Sequence, residues 1–469
     1  MKSIVVIGGG ITGLAAALRL VERKQAGADL NVTLLEASGR VGGVIQTERR
    51  DGFLIERGPD SFLSEKPETI DLAKRLGLEP HLIETNQTNR RSFIVRDGKL
   101  RSVPEGFNLL APARLWPFVT SDIFSWRGKA RMALDLVLPK RAPNGIDESL
   151  AEFVRRRLGR EALERMAQPM VGGIYTADPE KLSLQATMPR FLEMERADRS
   201  IILGMRKRAR REKDATRAAS GARYSLFLSF DTGMQLLVDQ LAAALPPDSV
   251  QLNTKVEALH FERESNQWAI RQDNGETLSA DAICLALPAY AAAKLLRDTD
   301  ETLAASLDAI PYASTATINL AYRRADIPHQ LDGFGFVVPF IEKRTILACT
   351  FCSVKFRDRA PAGHVLLRAF VGGALQPEMF ALDDTELVRR VKGDLEELLG
   401  IKVAPGFADV AKWERSMPQF HVRHLELVAN IGGRVRQIPG IRMAGNAFGG
   451  AGISDCIRAG ENAAEELLE

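Results

Sequence analysis

The first thirty-six residues constrain this chain more than any other stretch. Ile4-Val5-Val6-Ile7 is an unbroken β-branched run, the pattern of a strand buried on both faces in a parallel sheet. It passes directly into Gly8-Gly9-Gly10-Ile11-Thr12-Gly13, and Leu14 to Leu20 then reads as a helix of strong formers. A second strand, Asn31 to Leu35, ends at Glu36. Glycines at 8, 10 and 13 fit the dinucleotide fingerprint. One permits a tight turn, one lets backbone approach a pyrophosphate, and one allows close helix–strand packing. Glu36 stands about where an acid that binds ribose hydroxyls is expected.

The residues just beyond Glu36 separate flavin from nicotinamide. Ala37-Ser38-Gly39-Arg40-Val41-Gly42-Gly43 sets a second glycine pair and an arginine next to the acid. That arrangement resembles the extended FAD fingerprint of the amine-oxidase-like flavoproteins. Gly42 and Gly43 would bring a second stretch of backbone to the pyrophosphate, and Arg40 would neutralise part of its charge. At the other end, the short strand Ile441 to Ala444 enters a loop, Gly445 to Asp455, that contains four glycines before a helix from about Cys456 to Leu468. Such a loop presents free N–H groups and a positive dipole end, suited to the pyrimidine side of a reduced flavin. Two ends of the chain thus serve one cofactor. The expected architecture is α/β. A discontinuous Rossmann-like FAD domain spans 1–85, 220–300 and 408–469. A mainly helical substrate or membrane-contact region covers 86–219, and a mixed-sheet substrate domain covers 301–407.

The middle of the chain reads less sharply. Segments 104–145 and 147–218 look helical, punctuated by prolines at 104, 112, 117, 139 and 143. The basic run from Arg206 to Arg217 reads as a solvated helix face. Beyond it, Gly233 to Leu241 suggests an amphipathic helix, Val250 to Leu259 a strand, and Trp268 to Leu278 a hairpin turning at Asn274-Gly275. Alternation in Ala316 to Tyr322, Gly333 to Pro339, Thr345 to Phe351 and Val365 to Phe370 predicts a further sheet.

Composition excludes several classes. The 469 residues allow about two or three domains. Hydrophobic residues at 45% argue against bulk disorder, and 63 Lys+Arg against 60 Asp+Glu gives no reason to expect a nucleic-acid binder. No apolar run approaches the roughly 20 residues of a transmembrane helix. The N-terminus enters a strand rather than a signal peptide, so the cytoplasm is the expected address. Four cysteines do not make a disulfide framework. Cys349-Thr350-Phe351-Cys352 lies in a strand-like stretch, where residues three apart face opposite ways, so the pair reads as structural. His421 and His424 have no acid or cysteine partner at recognisable spacing, and no metal site is expected.

Four longer stretches are more selective than the glycines. They are Asp51 to Leu63 (DGFLIERGPDSFL), Gly172 to Ser183 (GGIYTADPEKLS), Glu414 to His421 (ERSMPQFH) and Gly445 to Cys456. In these the chain resembles, over nearly its whole length, the oxygen-dependent porphyrinogen oxidases of haem synthesis. It is most similar to coproporphyrinogen III oxidases of the Gram-positive bacterial type, through the ERGPDSFL block and Ala348-Cys349-Thr350, and less so to protoporphyrinogen IX oxidases. The resemblance implies six-electron oxidation of coproporphyrinogen III to coproporphyrin III, in three two-electron visits to FAD, with three O2 reduced to H2O2. Protoporphyrinogen IX is the alternative substrate.

By position, the resemblance puts Gly8, Gly9, Gly10, Ile11, Thr12, Gly13, Glu36, Ala37, Arg40 and Gly43 around the ADP half of FAD. Gly58, Pro59, Asp60 and Ser61 would run past the flavin ring. Val256 would meet the adenine, Trp413 would lie near the cofactor, and Ala451, Gly452 and Ile453 would touch the isoalloxazine edge. Lys66 matches a lysine near a substrate carboxylate, and Ile174 an apolar pocket position. No catalytic side chain is expected, because the cofactor carries the difficult chemistry. A four-propionate substrate also calls for cations at the mouth, for which Arg90 and Arg91 are further candidates. Competing readings on this scaffold are an amine oxidase, which would want an aromatic cage where the chain has only five tyrosines, a carotenoid desaturase, and a non-catalytic escort protein. Phe107 to Trp126, aromatic and proline-broken, suits either a bilayer surface or a pocket lining, and the family leaves room for peripheral membrane contact, for a homodimer, and for a downstream ferrochelatase as partner.

Overall fold

The computed structural model describes residues 1–141, 145–218 and 226–469. Pro143, and the side chains of Lys213 and Arg217 in the basic run, lie outside the described residues. A five-stranded parallel sheet forms the first layer, in the order Val250–Gln251, Leu30–Leu35, Lys2–Ile7, Ala282–Leu285, Ile441–Met443. The central strand shows why an all-apolar sequence was needed there. Ile4 and Val6 pack with Leu14, Leu18, Leu237 and Ile457 of the helices on one face. Val5 and Ile7 pack on the other face with Leu259, Trp268 and Ile270. Those three belong to an antiparallel sheet of Val256–Glu262, Gln267–Gln272 and Thr277–Ala280, whose last two strands turn at Asn274-Gly275 as expected. The expected single strand at 250–259 is two: Val250–Gln251 joins the parallel sheet and Val256–Glu262 the antiparallel one.

The second body is a seven-stranded mixed sheet. Its order is Phe407–Pro418, Tyr312–Arg323, His364–Gly372, Ala348–Phe351, Gly335–Val337, Phe93–Arg96, Lys99–Ser102. Two of these elements move the expected boundaries. Phe93–Arg96 and Lys99–Ser102 come from the stretch expected to be mainly helical, and Phe407–Pro418 from the stretch given to the cofactor domain. The physical reason is pairing: Phe93–Arg96 finds its partner in Gly335–Val337, far along the chain, and Phe407–Pro418 runs antiparallel to Tyr312–Arg323 over its whole length. Helix Asp384–Leu399 covers one face, its Leu387, Val391 and Leu395 meeting Ile318, Leu320, Leu367 and Ala369.

A helical region completes the molecule, from Leu150–Arg157 through Gln168–Tyr175 and Pro189–Asp198 to Ile201–Ala218. Its core is Phe153, Val154, Met166, Phe191 and Ile202. It is tied by the buried pair Arg157–Asp135, whose acid also accepts from the Ser200 hydroxyl and the Ile202 N–H. Among the described residues, no helix is long and apolar enough to cross a membrane.

Candidate functional site

The carboxyl ends of the parallel strands open on one side, the position where such sheets place a ligand. Gly8 turns there with φ +108°, its N–H donating to Leu35 O at 2.8 Å. A Cβ on Gly8 would lie 2.4 Å from Ala286 O, and one on Gly13 would lie 1.9 Å from Gly8 O. Gly10 is the contrast: nothing stands within 4 Å of its Cβ position. Gly10 bridges Gly42, and the Gly42 N–H donates to Gly9 O at 2.7 Å. Two glycine stretches therefore lie side by side and leave a surface free of side chains. Helix Ile11–Gln25 aims its N-terminus at that surface with no side-chain cap, so its first N–H groups are available to an anion. The dinucleotide cradle read from the sequence is physically present, and a diphosphate fits it.

Around it, Glu36 Oε2 accepts the Gly9 N–H at 2.6 Å, while Oε1 accepts the Ser38 N–H and hydroxyl at 2.8 and 2.7 Å. Ala37 sits next to it on the exposed rim. The Thr254 N–H donates to Glu36 O at 2.9 Å, two residues before half-buried Val256. Arg40 is anchored within the second glycine loop. Its guanidinium donates to the carbonyls of Val41, Gly43 and Ile45, and burial lowers its pKa. It braces the second glycine loop from within, because those carbonyls have no strand partner to satisfy them.

The Glu56–Ser61 segment threads between this cradle and the seven-stranded sheet. A Cβ on Gly58 would lie 1.8 Å from Val44 O, so only glycine lets the segment pass the second glycine loop. Its carbonyls turn to the sheet. Arg57 O accepts from Thr317 Oγ1 at 2.8 Å and from the Trp413 indole N–H at 2.9 Å. Glu56 O and Gly58 O accept from Arg368, at 3.2 and 2.9 Å. Trp413 thus reaches the site as the indole that fixes the segment.

Behind Pro59, Asp60 accepts from Lys355 Nζ at 3.0 Å on both oxygens and from the Ser61 hydroxyl at 2.7 Å, and Arg368 lies 3.2 Å away. Burial pushes the Asp60 carboxyl up, but Lys355 and Arg368 more than offset it and hold it well below the usual carboxylate range. Glu56, buried and accepting from Thr47 and the Met234 N–H, is raised by desolvation.

At the far end of the segment, Lys66 Nζ stands 2.5 Å from Asp455 Oδ2. Asp455 lies in the first turn of helix Ile453–Glu466, is nearly buried, and also pairs with Arg458 at 2.6 Å. Its carboxylate fills the space a Cβ on Gly450 or Gly452 would need. Gly452 caps this helix without a side-chain acceptor, so Ala451, Gly452 and Ile453 present a second uncapped N-terminus toward the cleft. His424 Nε2 and Ala447 O, 2.8 Å apart, and Asn446, donating to Ser416 O at 3.2 Å, anchor the loop before it. Helix packing closes the arrangement: a Cβ on Gly460 would lie 2.2 Å from Thr12 O.

Ile174 is half-exposed at the end of helix Gln168–Tyr175, and its neighbour Gly173 faces Val337. Tyr175, Val337, Met170 and Ala451 pack against one apolar cluster, so the Gly449–Gly452 loop, the sheet and the helical region share a wall. Arg91 is paired with Asp332 at 3.0 Å, whereas Arg90 is exposed; neither is joined to Lys66. Cys349 ends up in a strand, but Cys352 begins a short helix rather than continuing it. Burial pushes the Cys352 thiol up to about 11.

Sequence reasoning missed Lys355, Arg368, Thr317 and Asp455. One signal was available. Thr317-Ile318-Asn319-Leu320 and Leu366-Leu367-Arg368-Ala369 set polar residues among apolar ones in stretches read as alternating strands, which implies a partner for the polar face.

Comparison with known proteins matches these features to one family. The family described as flavin containing amine oxidoreductase matches residues 11–468. A coproporphyrinogen III oxidase of Bacillus subtilis is 38% identical, covering 100% of this chain and 98% of its own length. Protoporphyrinogen oxidase 1 of Arabidopsis thaliana chloroplasts is 30% identical, over 99% of this chain and 87% of its own. The crystal structure of an Exiguobacterium protein assigned as a protoporphyrinogen oxidase superposes with a TM-score of 0.87 at 32% identity, covering 99% of this chain and 98% of that one.

Proposed function

Because the chain belongs to the flavin-containing amine oxidoreductase family, we propose that it works as an FAD-dependent oxidase converting coproporphyrinogen III to coproporphyrin III. The observation that carries this reading is full-length identity of 34–38% to three proteins named coproporphyrinogen III oxidase, above the 27–30% of those named protoporphyrinogen oxidase. Six electrons leave the substrate as three two-electron oxidations. Bound FAD would supply the two-electron redox chemistry that links each oxidation to O2, with three H2O2 formed overall.

The chain's own residues bind, orient and exclude water. Gly8 to Gly13, Glu36, Ala37, Arg40 and Gly43, with Val256, would hold the ADP half. Gly58, Pro59, Asp60, Ser61 and Trp413 would set the middle of the cofactor against the sheet. Ala451, Gly452 and Ile453 would offer helix N–H groups to its electron-rich end. Ile174, Val337 and Tyr175 supply apolar wall for a macrocycle, which keeps water from the reacting bridge carbon. Lys66 would anchor a propionate: Asp455 takes one of its three ammonium donors, and the side chain remains 41% exposed. No side chain is assigned as acid, base or nucleophile.

The same reading places the protein in haem synthesis in the cytoplasm, supplying its product to a ferrochelatase. A homodimer and peripheral membrane contact belong to it as well. The exposed Trp116 and Trp126, in the stretch expected to meet a bilayer, support that contact.

The test is oxygen-dependent porphyrin fluorescence from FAD-loaded protein, given coproporphyrinogen III and protoporphyrinogen IX separately and compared as kcat/KM. Preference for the four-propionate substrate is expected. Preference for protoporphyrinogen IX would overturn the substrate assignment, and oxidation of neither would overturn the activity.

A further inference from the structure

Five charged side chains are packed together behind the Gly58–Ser61 segment. Glu56 and Arg359 are 4% and 2% exposed. The Asp60, Lys355 and Arg368 side chains are 12%, 13% and 4% exposed. Arg359 donates to Ser229 Oγ at 3.0 Å and to the carbonyls of Phe230 and Asp231 at 2.9 and 3.2 Å. A cavity of about 10 Å³ between Glu56, Asp60, Arg359, Cys352 and Phe356 completes the cluster. Two acids face three bases, so the cluster carries a formal charge of +1.

Stability alone does not account for such a group. Buried ion pairs give up most of their Coulomb attraction to desolvation, and apolar side chains of the same volume hold a core as well or better. Position is the more informative property. The segment in front of the cluster passes Val44 at Gly58, and the chain beyond it runs on to Lys66, which is bound to Asp455 beside Gly450 and Gly452. It therefore spans the interval from the diphosphate surface to the second helix N-terminus, which the middle of an FAD must cross. A charge buried beside that interval would act on a flavin held in front of it through a low-dielectric medium with little screening by salt.

We propose that Lys355 and Asp60 form a matched charge pair that sets the reduction potential of the bound flavin. Lys355 and Arg368 supply positive charge that favours the electron-rich reduced ring, and Asp60 limits it to a net single charge. The inference rests on FAD being the cofactor, and it assigns to these residues a role through electrostatics rather than contact with substrate.

The experiment is a spectroelectrochemical midpoint titration of the FAD-loaded parent, Lys355→Met, Asp60→Asn and the double variant, with thermal unfolding of each. Lys355→Met leaves the cluster neutral and should disfavour reduced over oxidised flavin by about tenfold, which for a two-electron couple is about 30 mV downward. Asp60→Asn leaves it at +2 and should shift the potential upward by a similar factor. The double variant restores +1 and should return to within about threefold of the parent, and it carries the comparison if a single variant does not fold. Shifts of opposite sign, with recovery in the double variant, support the proposal. Shifts of the same sign, no shift alongside lowered unfolding temperatures, or a double variant far from the parent overturn it. A parent protein that takes up no FAD would instead refute the cofactor reading beneath it.

Discussion

Gly58→Ala isolates the fit between the two segments that form the cofactor cradle. The backbone at Gly58 has no positive φ, so alanine meets no conformational strain of its own. The obstacle is the Val44 carbonyl oxygen at 1.8 Å from the new Cβ, where contacts under 3.0 Å are not tolerated. The 42–45 loop and the 56–61 segment must part by more than 1 Å. In the apoprotein they can do so at modest expense, but cofactor binding needs both in place, so the strain falls on binding. Overpacking of this kind costs about 1–3 kcal/mol, and 2 kcal/mol is roughly a thirtyfold rise in Kd. The measurement is titration of apoprotein with FAD, monitored by flavin fluorescence, beside Gly393→Ala as control. Gly393 sits exposed in helix Asp384–Leu399 with nothing within 4 Å of its Cβ position, and alanine there should stabilise by roughly 0.5–1 kcal/mol without altering FAD affinity. FAD binding by Gly58→Ala within threefold of the parent would refute the argument that the Gly58–Val44 approach shapes the site.

Three more expectations rest on the same packing. Arg157→Met strands the buried Asp135 carboxylate and should lower the unfolding free energy by about 3–5 kcal/mol in guanidinium, with activity per folded molecule unchanged. Asp60 binds its proton less tightly folded than unfolded, so its contribution to stability is complete above the ordinary carboxylate pKa and declines as pH falls toward the depressed folded value. The stability gap between parent and Asp60→Asn should therefore be widest near pH 7 and narrow from about pH 5 downward. All four cysteines are buried, with Cys284 pushed up to about 12 and Cys352 and Cys456 to about 11 by desolvation. A thiol reagent at pH 8 should find less than one reactive group per native chain and four after unfolding; rapid native labelling would contradict the packing.

Particular residues show where local sequence is enough. Ile4 to Ile7 has no polar residue to spare for a solvent face, so it can only be a central strand, and the glycines after it can only turn as they do. Gly275, at φ +86°, supplies the left-handed position that the hairpin after Gln267–Gln272 needs, and the hairpin is there. The boundaries around 93–102 and 407–418 were not legible, because these strands are defined by partners elsewhere rather than by their own pattern. Arg40 was legible only in part for a related reason: its place beside two glycines is in the sequence, but only the fold shows that its donors also hold the carbonyls of Val41, Gly43 and Ile45.

The sequence by itself determined the cofactor cradle, since a βαβ turn is made of residues within reach of each other and its steric demands are written in which positions are glycine. It determined the reaction class too, through long stretches shared with one family. Tertiary structure alone decided how the middle of the site is held. Asp60 meets Lys355 across 295 positions and Lys66 meets Asp455 across 389. Charge and hydrogen-bonding capacity are properties of a residue, but the partner that satisfies them, in a core where an unpaired polar group is costly, is a property of the packed chain.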